Sequence, residues 1–221
     1  FHSQGNILEA TKYYQDFISQ GFKDHKVFSN YGAILKHNGK LKEAELYIRK
    51  AIGLKPNYEI AYCNLGSTLK ELGNLKEAER YTRKAIEINS NYADSYFYLG
   101  AILSDLGQFE DAEAATLKAI KLKPAFAEAY SDLGTILREL GHLKEAEEKT
   151  RKAIELKPNY EIAYCNLGII LKELGDLNEA EIFTRKAIKL KPDYTEAYSN
   201  LAGILKNLGQ LKEAENSIRK A

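Results

Sequence analysis

The sequence predicts an all-α chain, a solenoid of antiparallel helix pairs stacked at a fixed interval. Three observations carry this expectation. Most glycines and all four prolines fall into columns of one 34-residue period. Within each period, apolar residues recur at helical spacing in two runs. A glycine separates the runs and a proline follows the second, the punctuation of a helical hairpin.

Taking His25 as position 1 orders the elements. Residues 1–24 supply the second helix of a partial unit, with Gly5 at position 15. Full units span 25–58 (Gly32, Gly39, Pro56), 59–92 (Gly66, Gly73) and 93–126 (Gly100, Gly107, Pro124). Two more span 127–160 (Gly134, Gly141, Pro158) and 161–194 (Gly168, Gly175, Pro192), and a truncated unit fills 195–221 with Gly209. In 161–194 the first run is Tyr164, Leu167, Leu171 and Leu174, and the second is Leu177, Ala180, Phe183 and Ala187. The position-15 glycine suits the left-handed conformation that ends a helix. Gly168 and Ala180 are small because two helices cross there. Tyr164 and its equivalents Phe28, Tyr62, Tyr96, Tyr130 and Tyr198 are expected to fill space between units. Asp193 is placed to cap the helix that follows it. At Asn89-Ser90-Asn91 the proline is missing, which predicts a helix without its usual stop and the softest junction. The last unit ends at position 27, so Ile204, Leu211 and Ile218 are expected to form an apolar end prone to end-to-end self-association.

Composition narrows the function. The 221 residues carry 32 Lys and Arg against 31 Asp and Glu, without the basic excess of a nucleic-acid binder. No apolar run approaches the ~18 residues of a membrane span. Cys63 and Cys165 lie in no disulfide framework and no signal peptide is visible, so the expectation is a cytoplasmic chain with reduced thiols. The absence of an initiator methionine suggests a fragment or a processed chain. His2, His25, His37 and His142 have no metal-ligand spacing. The stretch from Gly32 to Lys40 has six residues between its glycines, and Leu41 where a phosphate-binding loop needs Ser or Thr. No catalytic residue, cofactor or metal is expected.

These columns resemble the tetratricopeptide repeat family: an aromatic at position 4, Leu-Gly at 7–8, Ala at 20 and 27, Pro at 32. Ala44, Ala78, Ala112, Ala146, Ala180 and Ala214 hold position 20, and Ala51, Ala85, Ala119, Ala153, Ala187 and Ala221 hold position 27. Tyr stands where Trp is usual at position 4, Ser90 replaces Pro and Ala202 replaces Gly. The resemblance implies a right-handed superhelix whose first helices line a concave groove, and a scaffold that binds a protein or an extended peptide. Pentatricopeptide RNA binders have a different period and are usually basic. The dicarboxylate clamp for chaperone C-termini would need Lys at position 5, where this chain has Ser29, Cys63, Phe97, Ser131, Cys165 and Ser199.

The resemblance places positions 2, 5, 6, 9, 12 and 13 in the groove. Position 6 holds Asn30, Asn64, Tyr98, Asp132, Asn166 and Asn200, similar to the asparagine ladder by which O-linked N-acetylglucosamine transferases hold a peptide backbone. One amide offers a donor and an acceptor, matching a peptide unit. The alternative is that these asparagines bond neighbouring helices only. Position 12 adds Lys36, Lys70 and Lys172, and Cys63 and Cys165 flank the asparagines. Between 93 and 160, Asp94, Asp105, Glu128, Asp132 and Glu139 face Arg138 alone, which predicts a basic residue in the bound segment. The text KPNYEIAYCNLG occurs at 55–66 and again at 157–168, and units 59–92 and 161–194 share 23 of 34 residues. Besides the scaffold reading, the chain fits the substrate-recruiting arm of a larger transferase, or a self-assembling array.

Overall fold

The computed structural model describes residues 7–221, and every regular element among them is a helix. Position-15 Gly5 lies outside the described residues. The helices are α1 (Ile7–Ser19), α2 (His25–His37), α3 (Leu41–Leu54), α4 (Glu59–Glu71), α5 (Leu75–Ile88), α6 (Ala93–Asp105), α7 (Phe109–Leu122), α8 (Ala127–Glu139), α9 (Leu143–Leu156), α10 (Glu161–Leu174), α11 (Leu177–Leu190), α12 (Thr195–Asn207) and α13 (Leu211–Ile218). The chain divides into two compact units, Phe1–Gly107 with α1 to α6 and Gln108–Ala221 with α7 to α13.

Within the first unit α2 pairs with α3 and α4 with α5. Within the second, α8 pairs with α9, α10 with α11 and α12 with α13. Successive first helices also touch: α2 with α4, α4 with α6, α8 with α10, α10 with α12. Successive second helices lie farther apart and meet through long side chains. Each unit therefore curves with its first helices on the inner side.

The glycine columns have two separate causes. Gly39, Gly73, Gly107, Gly141, Gly175 and Gly209 all have φ between 74° and 90°, where a side chain would be strained. A Cβ on Gly66, Gly134 or Gly168 would lie 2.0–2.1 Å from the hydroxyl of Thr82, Thr150 or Thr184 on the paired helix. Each of these buried threonines donates to the carbonyl four residues back, at Ala78, Ala146 or Ala180. The crossing is thus sealed by a satisfied hydroxyl against bare backbone. Position-4 rings pack on position 23 of the same hairpin: Phe28 on Tyr47, Tyr62 on Tyr81, Tyr164 on Phe183.

Two junction expectations need correction. Asp193 does not cap α12; Tyr194 stands at the N-cap and no side chain closes it. Position 34 is Tyr58, Tyr92, Phe126, Tyr160 or Tyr194, and in all but the Tyr92 junction the lysine three residues earlier covers the ring, with Lys123 4.0 Å from Phe126 and Lys157 4.4 Å from Tyr160. Ring packing has displaced the polar cap; Asp24 alone in this column is acidic, and it does bond the Lys26 and Val27 amides. The proline-free junction also keeps its stop. Asn89 takes the extended backbone (φ −144°, ψ 97°) that Lys55, Lys123, Lys157 and Lys191 adopt before proline. Its Oδ1 accepts from the Asn91 amide at 3.0 Å and its Nδ2 donates to Glu59 at 3.2 Å, so a side chain does the work of a ring.

Candidate functional site

The inner face of each unit is built by contacts between one repeat and the next. Asn64 Nδ2 donates to Ser29 Oγ at 3.1 Å, and Asn166 Nδ2 to Ser131 Oγ at 3.1 Å and Thr135 Oγ1 at 3.2 Å. Asn200 Nδ2 donates to Cys165 Sγ at 3.2 Å. Three of these four bonds share one offset, with position 6 reaching back to position 5 of the preceding repeat; the bond to Thr135 reaches position 9. Asn30 instead donates to the Tyr14 hydroxyl on α1, at 3.4 Å. The asparagines therefore do bond neighbouring helices, through the NH2 end of the amide. What each has left for a ligand is its oxygen, an acceptor; Asn30, Asn64 and Asn200 also keep a second N–H, which Asn166 spends on Thr135.

This geometry corrects the reading of position 5 as open groove. Cys63 is 1% exposed and Cys165 is not exposed at all, because position 5 turns into the seam between repeats. Their part is to hold the rungs and fill the seam. Burial pushes the Cys63 thiol up to about 12, with Asp94 adding to the effect and Ser95 and Lys36 opposing it. Burial likewise raises Cys165, against the hydrogen bond from Asn200. In the unit where Tyr98 replaces the asparagine, burial pushes its phenol up to about 12, helped by Cys63, Asp94 and Glu71.

The charges form a second cross-repeat ladder that residue types by themselves did not reveal. Position 12 of one repeat meets position 13 of the next: Lys36 with Glu71 at 3.4 Å, Lys70 with Asp105 at 2.9 Å, Arg138 with Glu173 at 3.9 Å. Lys36 also donates to Ser67 at 3.1 Å and stands 5.4 Å from the Tyr98 ring. Lys172 has Asn207 where the other rungs have an acid, so the pattern stops there. Glu128 is bridged by Lys157 at 2.7 Å; despite burial, that hydrogen bond keeps its carboxyl below the usual range. Glu139 pairs with Arg138. Three of the five central carboxylates, Asp105, Glu128 and Glu139, are thus matched by cations.

The outer face has its own ladder. Arg49 spans Glu45 and Glu77 at 2.7 and 3.2 Å, Arg151 spans Glu147 and Glu179 at 3.0 and 2.9 Å, and Arg185 spans Glu181 and Glu213 at 2.7 and 2.8 Å. At the last repeat Ile204 is fully buried against the expectation, because it faces α10 and α11, whereas Leu211 and Ile218 are 66% and 64% exposed. Among the described residues no cluster of His, Cys, Asp and Glu is arranged to hold a metal, and no helix is long and apolar enough to cross a membrane.

Tetratricopeptide repeat models match residues 60–92 and 162–194, 81–148 in two consecutive spans, 183–216 and 25–58, and a TPR repeat model matches 134–175. The chain belongs to the tetratricopeptide repeat family. Repeat proteins of this family are in general non-catalytic interaction scaffolds. No curated protein matches the sequence significantly. Among solved structures, this tetratricopeptide chain is similar to MamA, with 26% identity over 71% of this chain and 91% of that one and a TM-score of 0.60. It is similar to YrrB, described as a TPR protein with an unusual peptide-binding site, at 25% identity over 83% of this chain and 95% of that one, TM-score 0.58. Cut9–Hcn1, from the APC/C hetero-tetramer, shares only 16% identity but matches 99% of this chain, and 44% of its own, with a TM-score of 0.91, which establishes the solenoid fold.

Proposed function

We propose that this tetratricopeptide chain binds an extended segment of a partner protein along the inner faces of its units, with Asn30 and Asn64 as the backbone clip of the first unit and Asn166 and Asn200 as that of the second. The supporting observation is the common anchoring of the rungs: each amide is oriented by its NH2 end, in both units. A pre-oriented acceptor loses little entropy when a ligand N–H arrives. Lys36, Lys70 and Lys172 flank the rungs, and in the first unit Tyr98 stands in place of an asparagine with Asp94 one turn before it, where a basic residue of the segment would be favoured. The likeness to YrrB supports a peptide as the ligand class.

Each amide contact is worth a net ~1 kcal/mol, since water competes for it. Asn64→Ala or Asn166→Ala is expected to weaken binding several-fold, and the two together roughly thirtyfold if they act independently. The loss should be similar across a panel of peptides of different sequence, because the backbone is what is held. A folded double variant that binds every peptide as well as the parent would make the asparagines purely structural.

A further inference from the structure

The near-duplicate repeats 59–92 and 161–194 differ on their outer helices in a way the fold does not require. In α5 the outward positions are Arg80 and Glu87, and Lys84 is neutralised by Glu87 at 2.8 Å. The same pairing recurs in α9 between Lys152 and Glu155, at 2.5 Å. In α11 the corresponding residues are Ile182 and Lys189, so Lys186 has lost its carboxylate and gained a second cation one turn away. Ile182 is 66% exposed. A lone exposed isoleucine would be ordinary. This one adjoins Phe183, whose ring stacks on Tyr164 with centroids 6.0 Å apart. Arg151 lies 5.1 Å from the Phe183 ring and Lys186 lies 6.0 Å from the Tyr164 ring. The arginines here, Arg151 and Arg185, are already matched by glutamates, so the cationic excess belongs to the two lysines.

We propose that the outer face of α11 is a second docking surface, taking an acidic segment of a partner protein that carries one aromatic or aliphatic anchor. The anchor would lie on Ile182 and the Phe183–Tyr164 pair, and the acidic residues against Lys186 and Lys189. Charge complementarity selects this occupant: an apolar floor alone would accept any hydrophobic segment, whereas paired lysines reject a basic one. The surface is distinct from the inner-face rungs, because α11 is a second helix and lies on the outer side of its unit.

The test transplants the residues of the near-copy. Ile182→Arg with Lys189→Glu recreates the α5 surface on a backbone that the same protein already folds. The probe is a labelled short peptide of aspartates and glutamates around a single phenylalanine, titrated against the parent and the variant. The expected result is a loss of about tenfold or more in the variant, and an affinity in the parent that falls with salt. Asn64→Ala/Asn166→Ala should leave this peptide unaffected, so failure of the inner-face reading and failure of this one remain distinguishable. Equal binding by parent and variant, no binding by the parent, equal binding of a lysine-for-acid peptide, or a matching loss in the asparagine double variant would each overturn the proposal.

Discussion

At Gly168 the closest approach of two helices is decided by one hydrogen atom. A Cβ there would sit 2.1 Å from Thr184 Oγ1, with the Ala180 carbonyl at 3.2 Å, so the helices must part or the threonine must abandon its bond. Gly168→Ala is expected to destabilise the protein by ~1–3 kcal/mol, read as a lower urea midpoint, and adding Thr184→Ala should recover part of it. Recovery by Thr184→Ser, which keeps the hydroxyl, would count against this account. The thiols give a second residue-scale expectation. Cys63 is held neutral by burial, with its pKa raised from an unfolded value of about 8.5 to about 12. The stabilisation is complete below the unfolded value and is lost as pH rises through the folded one. Thiol titration at pH 8 should find both cysteines silent in the native protein and reactive in denaturant. Denaturation midpoints should fall above about pH 8.5, less steeply in Cys63→Ala.

At the scale of elements, second helices end one residue before an extended position, whether or not proline follows. Four junctions use the ring, and Asn89 uses its amide to reach Asn91 and Glu59. Because Asn89 already has the backbone that precedes proline elsewhere, Ser90→Pro should fit without strain and stabilise by roughly 0.5–1 kcal/mol through the unfolded state. Hydrogen exchange at Asn91 and Tyr92 in the parent should be faster than at the residues following Pro56 and Pro158, since side-chain bonds open more readily than a ring. Equal protection would mean that the amide is as firm a stop as proline.

At the scale of the molecule, nearly every polar contact that crosses a repeat boundary links nearest neighbours only. The asparagine, lysine and arginine ladders all have this form, so stability is close to a sum over adjacent repeats. A lesion in one unit is therefore felt locally. Gly168→Ala should cost amide protection in α8 to α12 while α2 to α6 keep most of theirs, giving unfolding with more than one step. A single cooperative loss across all helices would contradict this one-dimensional picture. The exposed ion pairs of the ladders are each worth ~0–1 kcal/mol and should weaken with salt, so the midpoint of Arg151→Ala should approach that of the parent as ionic strength rises.

The helical hairpin, the two glycine columns and the family were legible in the sequence, because each rests on local rules: a 3.6-residue period, a positive φ, a missing Cβ. The direction of side chains across the seam was not. Whether Cys63 lies open or buried, and whether Asn166 donates to Ser131 or waits for a ligand, depends on residues about one repeat away in sequence and in contact only after stacking. Tyr194 stands at the cap in place of Asp193 for the same reason: its ring packs beneath Lys191, while the Asp193 side chain stays exposed. The acidic tally between 93 and 160 left out Lys70 and Lys157, which reach two of its carboxylates from positions outside the count. By itself, then, the sequence determined the repeat and its fold, which local backbone chemistry specifies. Only the tertiary structure decided which amides, thiols and charges are already satisfied, because that depends on the distance between neighbouring repeats.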